Sequence, residues 1–243
     1  LGIEMPEASV VPLPSFSMDA EEPPVLAPDD PKSVVWVGRL VDFKFPALFA
    51  MFEFIGEHPD YRLDVIGDGD LHTAENYIRR HVPHVAERIR FLGTVPFSKL
   101  FAEIRRHAIG YAAGTSIVEV ARNRMPAVLA IYNYNHKPFE RQICGGLFCD
   151  TWKGNIGEEL IYLAESQIHT TLADTMMKIS ANYEDAAEKC YQYVKKEYDA
   201  AKNFDRYLQL IDAAKPVDFV AIDVPSPPAL RVLAYRVMNG AGK

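Results

Sequence analysis

The chain has 243 residues, with 33 Asp and Glu against 26 Lys and Arg and a formal net charge of −7. Seven of those acids (Glu4, Glu7, Asp19, Glu21, Glu22, Asp29 and Asp30) lie in residues 1–31, which hold no Lys or Arg, so the body from Lys32 onward balances 26 acids against 26 bases. This balance excludes a broad nucleic-acid-binding surface, which needs an excess of cations to displace counterions, and leaves only local basic pockets.

Hydrophobic residues make up 49% and charged residues 24%, the mixture of a globular chain with a packed core. No apolar run approaches the ~18 residues of a membrane span, and the acidic N-terminus lacks the basic region of a signal peptide, so the cytoplasm is the expected compartment. Cys144, Cys149 and Cys190 form no C-x-x-C pair and are expected to be thiols with packing roles. Residues 1–31 also hold seven prolines and read as a linker or extended arm. Because the chain opens on Leu1 rather than Met, it is expected to continue a longer one.

From Ser33 short apolar runs alternate with helical patterns. Val34–Gly38 reads as a strand, 46–55 as a helix with Pro46 in its first turn, and Leu63–Gly67 as a second strand. A helix over 71–81, a strand over 89–93, a helix over 98–107 and a strand over 109–113 follow. Then come a short helix over 117–123 and a strand over 127–132. Strands that are apolar throughout, each followed by a helix, predict a doubly wound parallel sheet, an α/β Rossmann-like domain over 32–215. Gly145-Gly146-Leu147-Phe148 is expected as a short sixth strand, and helices are expected near 171–180, 184–198 and 203–213. The second of these places Ala187, Cys190, Tyr191, Val194 and Tyr198 on one face. Residues 216–243 form a C-terminal extension, in which 229–238 reads as a docked amphipathic helix or a membrane-surface segment.

In an open parallel sheet the ligand lies outside the carboxyl ends of the strands, where the strand order reverses. That selects the loops 38–44, 67–70, 93–95, 114–119 and 133–137. The first carries Gly38, Arg39 and Lys44. Its two cations suit a diphosphate, or are simply solvated. In the fourth, Gly114-Thr115-Ser116 ends a strand and opens a helix, a place where free amides attract an anion. Glu119 follows Ser116 by three residues, so it either closes a capping box or accepts hydrogen bonds from vicinal ribose hydroxyls. Gly67-Asp68-Gly69-Asp70 lacks the third glycine of a dinucleotide fingerprint, and Asp68 and Asp70 read as turn-formers rather than metal ligands. His72, His81 and His84 have no third ligand at a fixed spacing, and no metal site is expected.

Taken together, Val35-Trp36-Val37-Gly38-Arg39-Leu40 with Lys44, Asp64-Val65-Ile66-Gly67-Asp68-Gly69-Asp70-Leu71, Arg88-Ile89-Arg90-Phe91-Leu92-Gly93-Thr94-Val95 and Gly114-Thr115-Ser116-Ile117-Val118-Glu119 resemble, in order and spacing, the C-terminal donor-binding domain of GT-B glycosyltransferases. The likeness is to the retaining group called glycosyltransferase group 1 or family 4, and it covers residues 33–213. It implies one half of a GT-B architecture with extra C-terminal helices. It also implies that Arg39 and Lys44 act catalytically on the diphosphate of a UDP-, GDP- or ADP-sugar, that Gly93, Thr94 and Val95 meet the base, and that Glu119 meets the ribose. Gly38, Gly114, Thr115 and Ser116 would line the same nucleotide-sugar site. The implied reaction is sugar transfer with retained anomeric configuration and without an obligatory metal, and it needs an N-terminal acceptor domain.

Two departures stand out. Family members carry a glutamate eight positions before the one corresponding to Glu119, where this chain has Tyr111, and Phe45 replaces the glycine that follows the lysine. A non-catalytic scaffolding module of the same fold is the alternative, and an NAD-dependent oxidoreductase a further one.

Overall fold

The computed structural model describes residues 11–12, 22–25, 28–134, 137–159 and 168–213. The chain divides into two compact units, Leu1–Tyr207 and Leu208–Lys243. Of the second, only 208–213, the end of the last helix, are described, and the expected helix over 229–238 lies outside the described residues.

Five parallel strands form the sheet of the first unit in the order β3-β2-β1-β4-β5: β1 Ser33–Val37, β2 Arg62–Ile66, β3 Ile89–Gly93, β4 Ile109–Ala112 and β5 Ala127–Leu129. β1 is central and buried along its whole length, with Val34 opposite Leu63 on one side and Ile109 on the other. Strands enclosed on both faces have no reason to alternate, which is why these read as continuous apolar runs. The chain runs outward from β1 to β3, then crosses to β4 on the other side of β1. The order therefore reverses between β1 and β4, and a crevice opens at their carboxyl ends.

Helices α1 Phe45–Glu57, α2 Leu71–His81, α3 Phe97–Ile104, α4 Thr115–Ala121, α5 Leu172–Ala181, α6 Tyr183–Glu197 and α7 Ala200–Ala213 flank or follow the sheet. α1 takes Pro46 in its first turn, where the missing N–H costs nothing, and packs against α2 and α5. α2 buries Ala74, Tyr77 and Ile78 and closes on Arg79, Arg80 and His81, cations that suit the carbonyl end of a helix. Tyr77 lies flat on Phe49 of α1, 3.7 Å between ring centroids. α4 lies so close to β4 that a Cβ at Gly110 would stand 2.1 Å from a methyl of Val120, which accounts for a glycine inside a strand. α6 buries the expected face, Ala187, Cys190, Tyr191 and Val194, with Tyr198 just beyond it.

Two expectations need correction. The strand expected over 127–132 divides at Ala130. β5 stays in the main sheet, while β6 Ile131–Tyr132 pairs with β7 Glu158–Glu159 in a separate two-stranded ribbon. The strand expected at 145–148 is reduced to a single antiparallel bridge, Leu147 to Val128, followed by a 3-10 turn at Phe148–Asp150. Gly146, at φ 79, breaks the extended conformation there.

The described parts of the acidic leader are docked. Glu22 pairs with Arg124 and Lys195, and the guanidinium groups of Arg124 and Arg105 donate to the carbonyls of Pro23 and Pro24 at 3.0 and 3.1 Å. The Tyr207 hydroxyl and Asn203 Nδ2 donate to the carbonyls of Val11 and Pro12, each at 3.0 Å. Among the described residues no helix is long and apolar enough to cross a membrane.

Candidate functional site at the carboxyl edge of the sheet

Backbone hydrogen bonds stitch together the loops that leave β1, β2 and β3. The Gly38 amide donates to the Ile66 carbonyl at 2.9 Å, that of Leu40 to Asp68 at 2.7 Å, that of Asp70 to Leu40 at 2.9 Å, and that of Gly67 to Gly93 at 2.9 Å. Gly67 and Gly69 have φ of 145° and 129°, and a Cβ on them would lie 2.0 Å from the Gly38 carbonyl oxygen and 2.2 Å from that of Leu40. Their absent side chains are what allow this contact. Asp70 caps α2, its carboxylate accepting from the Thr73 amide at 3.0 Å and the Thr73 hydroxyl at 2.6 Å. The second loop is thus a brace for the first.

The first loop delivers the two cations. Trp36 Nε1 donates to the Gly38 carbonyl at 3.0 Å, and a 3-10 turn over Asp42–Lys44 leads into α1. The Lys44 side chain folds back over the strand end. Its Nζ lies 3.4 Å from where a Cβ of Gly38 would be and 5.6 Å from the centre of the Tyr132 ring. Lys44 is only 8% exposed, and no carboxylate among the described residues pairs with it or with the exposed Arg39. Burial pulls the Lys44 ammonium below its ordinary pKa, and repulsion from Arg39 adds to this. A buried cation without a counter-ion is a costly arrangement that an arriving anion relieves.

Across the crevice, β4 ends in Gly114 at φ 72, which is the N-cap of α4. The Gly114 amide is committed to the Ile156 carbonyl at 2.5 Å. This leaves the Thr115 and Ser116 amides, which no acceptor among the described residues takes. With the helix starting at Thr115, Ser116 and Glu119 both lie inside it, so the capping box is not formed. Glu119 instead stands in the second turn, 3.3 Å from Arg122 Nε, and burial raises its pKa against the opposing effect of Arg122. At the far edge, Gly93 at φ 66 has no atom within 4 Å of a Cβ position, Thr94 is exposed and Val95 half-buried. That loop is two strands from β1, on the order of 10 Å along the sheet edge.

The structure therefore brings Gly38, Lys44 and Gly114 to one crevice with Arg39 electrostatically coupled to it, while Gly93–Val95 lies two strands away and Glu119 sits in the second turn of α4. Tyr132 is the piece that sequence reasoning missed. Its ring underlies Lys44, and its hydroxyl lies 3.0 Å from the Cβ position of Gly114. Gly157 is bare on its other side, where a Cβ would fall 2.6 Å from the ring. Phe43 meets Tyr132 edge-on at 5.3 Å, and the Asn133 amide donates to the Phe43 carbonyl at 2.9 Å. The start of the 133–137 loop thus lies beside the turn that delivers Lys44. The paired glycines 114 and 157 around a strand-end tyrosine were the available signal.

Tyr111, eight positions before Glu119, lies within β4 and is fully buried. Its ring meets Trp36 edge-on at 5.4 Å and its hydroxyl donates to the Ala47 carbonyl at 3.3 Å. Only Ala113 and Gly114 separate β4 from α4, and neither is acidic. Among the described residues no His, Cys, Asp or Glu cluster is arranged to hold a metal. His81 stacks on Tyr77 at 4.4 Å, and His84 Nε2 lies 3.3 Å from the Gly56 carbonyl.

A parallel sheet in this order, flanked by helices and open at its switch point, is a Rossmann-like α/β domain of the kind found in GT-B glycosyltransferases. No family model matches the chain, and no curated protein matches it by sequence. Solved structures do match it. The pneumococcal O-GlcNAc transferase GtfA, in complex with UDP and GlcNAc, has a TM-score of 0.54 at 16% identity over 81% of this chain and 38% of that one. Anabaena HepE in complex with UDP-glucose has a TM-score of 0.50 at 12% identity over 75% of this chain and 49% of that one. The apo lipopolysaccharide outer core galactosyltransferase WaaB has 0.51 at 18% identity over 83% of this chain and 55% of that one. At these identities the likeness is one of fold, and the chain spans 38–55% of the length of these three structures.

Proposed function

We propose that this chain is the donor-binding domain of a retaining glycosyltransferase of the group 1 or family 4 type, which holds a nucleoside-diphosphate sugar at the β1/β4 crevice. The observation that carries this reading is the buried Lys44 beside Arg39, unpaired among the described residues, across from the Thr115 and Ser116 amides, which no described acceptor takes. Two cations and two amides converging on one crevice suit a diphosphate. They would stabilise the charge that grows on it as the glycosidic bond breaks, a task for which a metal is not obligatory. Glu119 is assigned to the ribose and Gly93–Val95 to the base. The ligands in the GtfA and HepE complexes, UDP with GlcNAc and UDP-glucose, support this choice. Transfer itself is assigned to this domain together with an N-terminal acceptor-binding domain, in the cytoplasm; alone, the donor half binds without turnover.

Calorimetry against UDP, GDP and ADP tests the reading. Binding of one of them that is lost in Arg39→Ala and Lys44→Ala is expected, whereas no binding to any of them by the folded chain refutes it. One observation favours a second reading, a non-catalytic scaffolding module. The two-residue β4–α4 loop carries no carboxylate, and Tyr111 faces the core. On that reading nucleotide binding is absent, and Arg39→Ala and Lys44→Ala leave biological activity unchanged.

A further inference from the structure

A run of aromatic rings leads away from the diphosphate crevice on the β5 side. It starts at Lys44, whose Nζ lies 5.6 Å from the Tyr132 ring centre, and continues to Phe43, edge-on to Tyr132 at 5.3 Å. It ends at Tyr134, stacked on Phe43 at 4.9 Å with 18° between the planes. Tyr132 packs against the hydrophobic core, but Phe43 and Tyr134 belong to no core cluster, and Tyr134 is 42% exposed. The Asn133 amide bond to the Phe43 carbonyl aligns the two turns, so the stack is built before any ligand arrives. Exposed aromatic surface of this kind, ordered beside a cation and outside the core, is the composition of a binding site.

We infer that Phe43 and Tyr134 are specificity-determining residues that bind the hexosyl group of the donor, one face of the sugar ring lying against their aromatic surface. The inference rests on the diphosphate reading above. A nucleotide-sugar has its diphosphate in the middle. With the base directed toward Gly93–Val95 at the β3 edge, the sugar leaves toward the opposite, β5 side of the crevice, where these rings stand. A pyranose presents C–H bonds on one face, and their partial positive charge suits the negative face of an aromatic ring. Such a contact recognises the sugar without a carboxylate, which the β4–α4 loop, Ala113-Gly114, lacks.

The test is a calorimetric comparison of bare UDP, GDP and ADP with their glucose, galactose and N-acetylglucosamine conjugates, using the full chain. One conjugate is expected to bind wild-type protein about three- to tenfold more tightly than its bare diphosphate, the scale of one aromatic contact. Tyr134→Ala and Phe43→Ala should erase that increment while bare diphosphate binding persists, and Tyr134→Phe should keep it. Equal weakening of conjugate and bare diphosphate overturns the inference, as does an increment that survives both alanine variants or is absent from wild type. If wild type binds no diphosphate at all, the functional reading fails and takes this inference with it. Tyr134 is a surface residue, so thermal melting of Tyr134→Ala should match wild type, and this variant carries the test if Phe43→Ala does not fold.

Discussion

Replacing Lys44 with methionine should stabilise the empty protein and cripple the liganded one. Methionine keeps the length of the stem, and its sulfur suits the Tyr132 ring. The substitution removes a charge that is 8% exposed, repelled by Arg39 and unpaired among the described residues. Relief of that burial is on the order of 1 kcal/mol, which raises Tm by about 2–4 °C for a chain of this size. Against a phosphate oxygen ~4 Å away, the same ammonium is worth up to about 4 kcal/mol at an effective dielectric constant of ~20. After desolvation about 2–3 kcal/mol remain, so nucleoside diphosphate affinity should fall by about 30- to 150-fold. Differential scanning fluorimetry with and without saturating UDP, or whichever diphosphate binds, reads both effects. Lys44→Met should melt above wild type without ligand and below it with ligand, because a ligand at ~100 times its wild-type Kd adds about 2.7 kcal/mol to wild type and under about 1 kcal/mol to the variant. The pH dependence has a definite sign. With the folded pKa lowered, the unfolded chain binds more protons in the alkaline window below 10.5, so wild-type stability relative to the variant rises as pH climbs through that window. A variant that melts below wild type without ligand, or that keeps the ligand shift, refutes the reasoning.

Glu119→Gln should change thermal stability by less than about 1 kcal/mol, since no capping box is lost and relief of the carboxylate's burial offsets the lost pair with Arg122, and should weaken UDP about ten- to hundredfold by removing charge-assisted hydrogen bonds. The penalty should vanish against a 2′,3′-dideoxy nucleotide; an equal loss for both ligands removes the ribose assignment. Asp64 is 4% exposed and accepts from Arg90 Nε at 2.8 Å and Nη2 at 2.5 Å, with His107 Nε2 at 2.9 Å. Burial raises its pKa, but the bonds to His107 and Arg90 outweigh this and bring it to about 2, against an ordinary 3.8. Asp64→Asn should therefore cost about 2 kcal/mol at neutral pH, and the deficit should close as pH falls from about 4 toward 2, followed by urea denaturation. A deficit independent of pH contradicts this. Cys149 and Cys190 are free thiols with sulfurs 3.6 Å apart, in a 3-10 turn and a helix 41 positions away along the chain. Diamide should take two electrons and two protons from the pair and leave an intramolecular disulfide, detected as a Cys149–Cys190 crosslinked peptide by mass spectrometry. Recovery of both as separately alkylatable thiols argues against it.

Those thiols show where sequence reasoning stops. Their types and the helical face carrying Cys190 were legible, but their contact depends on a turn of 3-10 structure that no periodicity announces. β3 and α2 matched their expected limits, because a strand apolar on both faces and a helix between Asp70 and a basic last turn carry local signals. The 127–132 run failed at Ala130 for a tertiary reason. β5 and β6 are both apolar and extended and differ only in partner, the main sheet for one and β7 for the other. Ser116-x-x-Glu119 failed because Gly114, able to adopt φ 72, begins the helix earlier than the motif suggests. The strand-end rule selected the loop that carries Arg39 and Lys44, and that loop does leave the carboxyl end of β1. It did not select Tyr132, because an aromatic residue at the end of a strand looks like core until the glycines facing it are seen.

The two sides of the crevice are built to different standards, and this bears on how such a site can diversify. The loops leaving β1, β2 and β3 are sewn by main-chain bonds through Gly67 and Gly69, where any side chain collides with a carbonyl. Beyond β5 the described residues are anchored largely by side chains, with Phe139, Ile143, Cys144, Leu147 and Phe148 buried in the core, and by main-chain bonds that join Leu129 to Gly145 and Gly146. Substitution of exposed residues between those anchors leaves the main-chain bonds through Gly67 and Gly69 untouched, whereas substitution at either glycine drives a side chain into a carbonyl. Sequence change is therefore tolerated unequally around the crevice, and a library that varies exposed positions such as Tyr134 rather than the glycine-braced loops is the economical place to look for altered ligand selectivity.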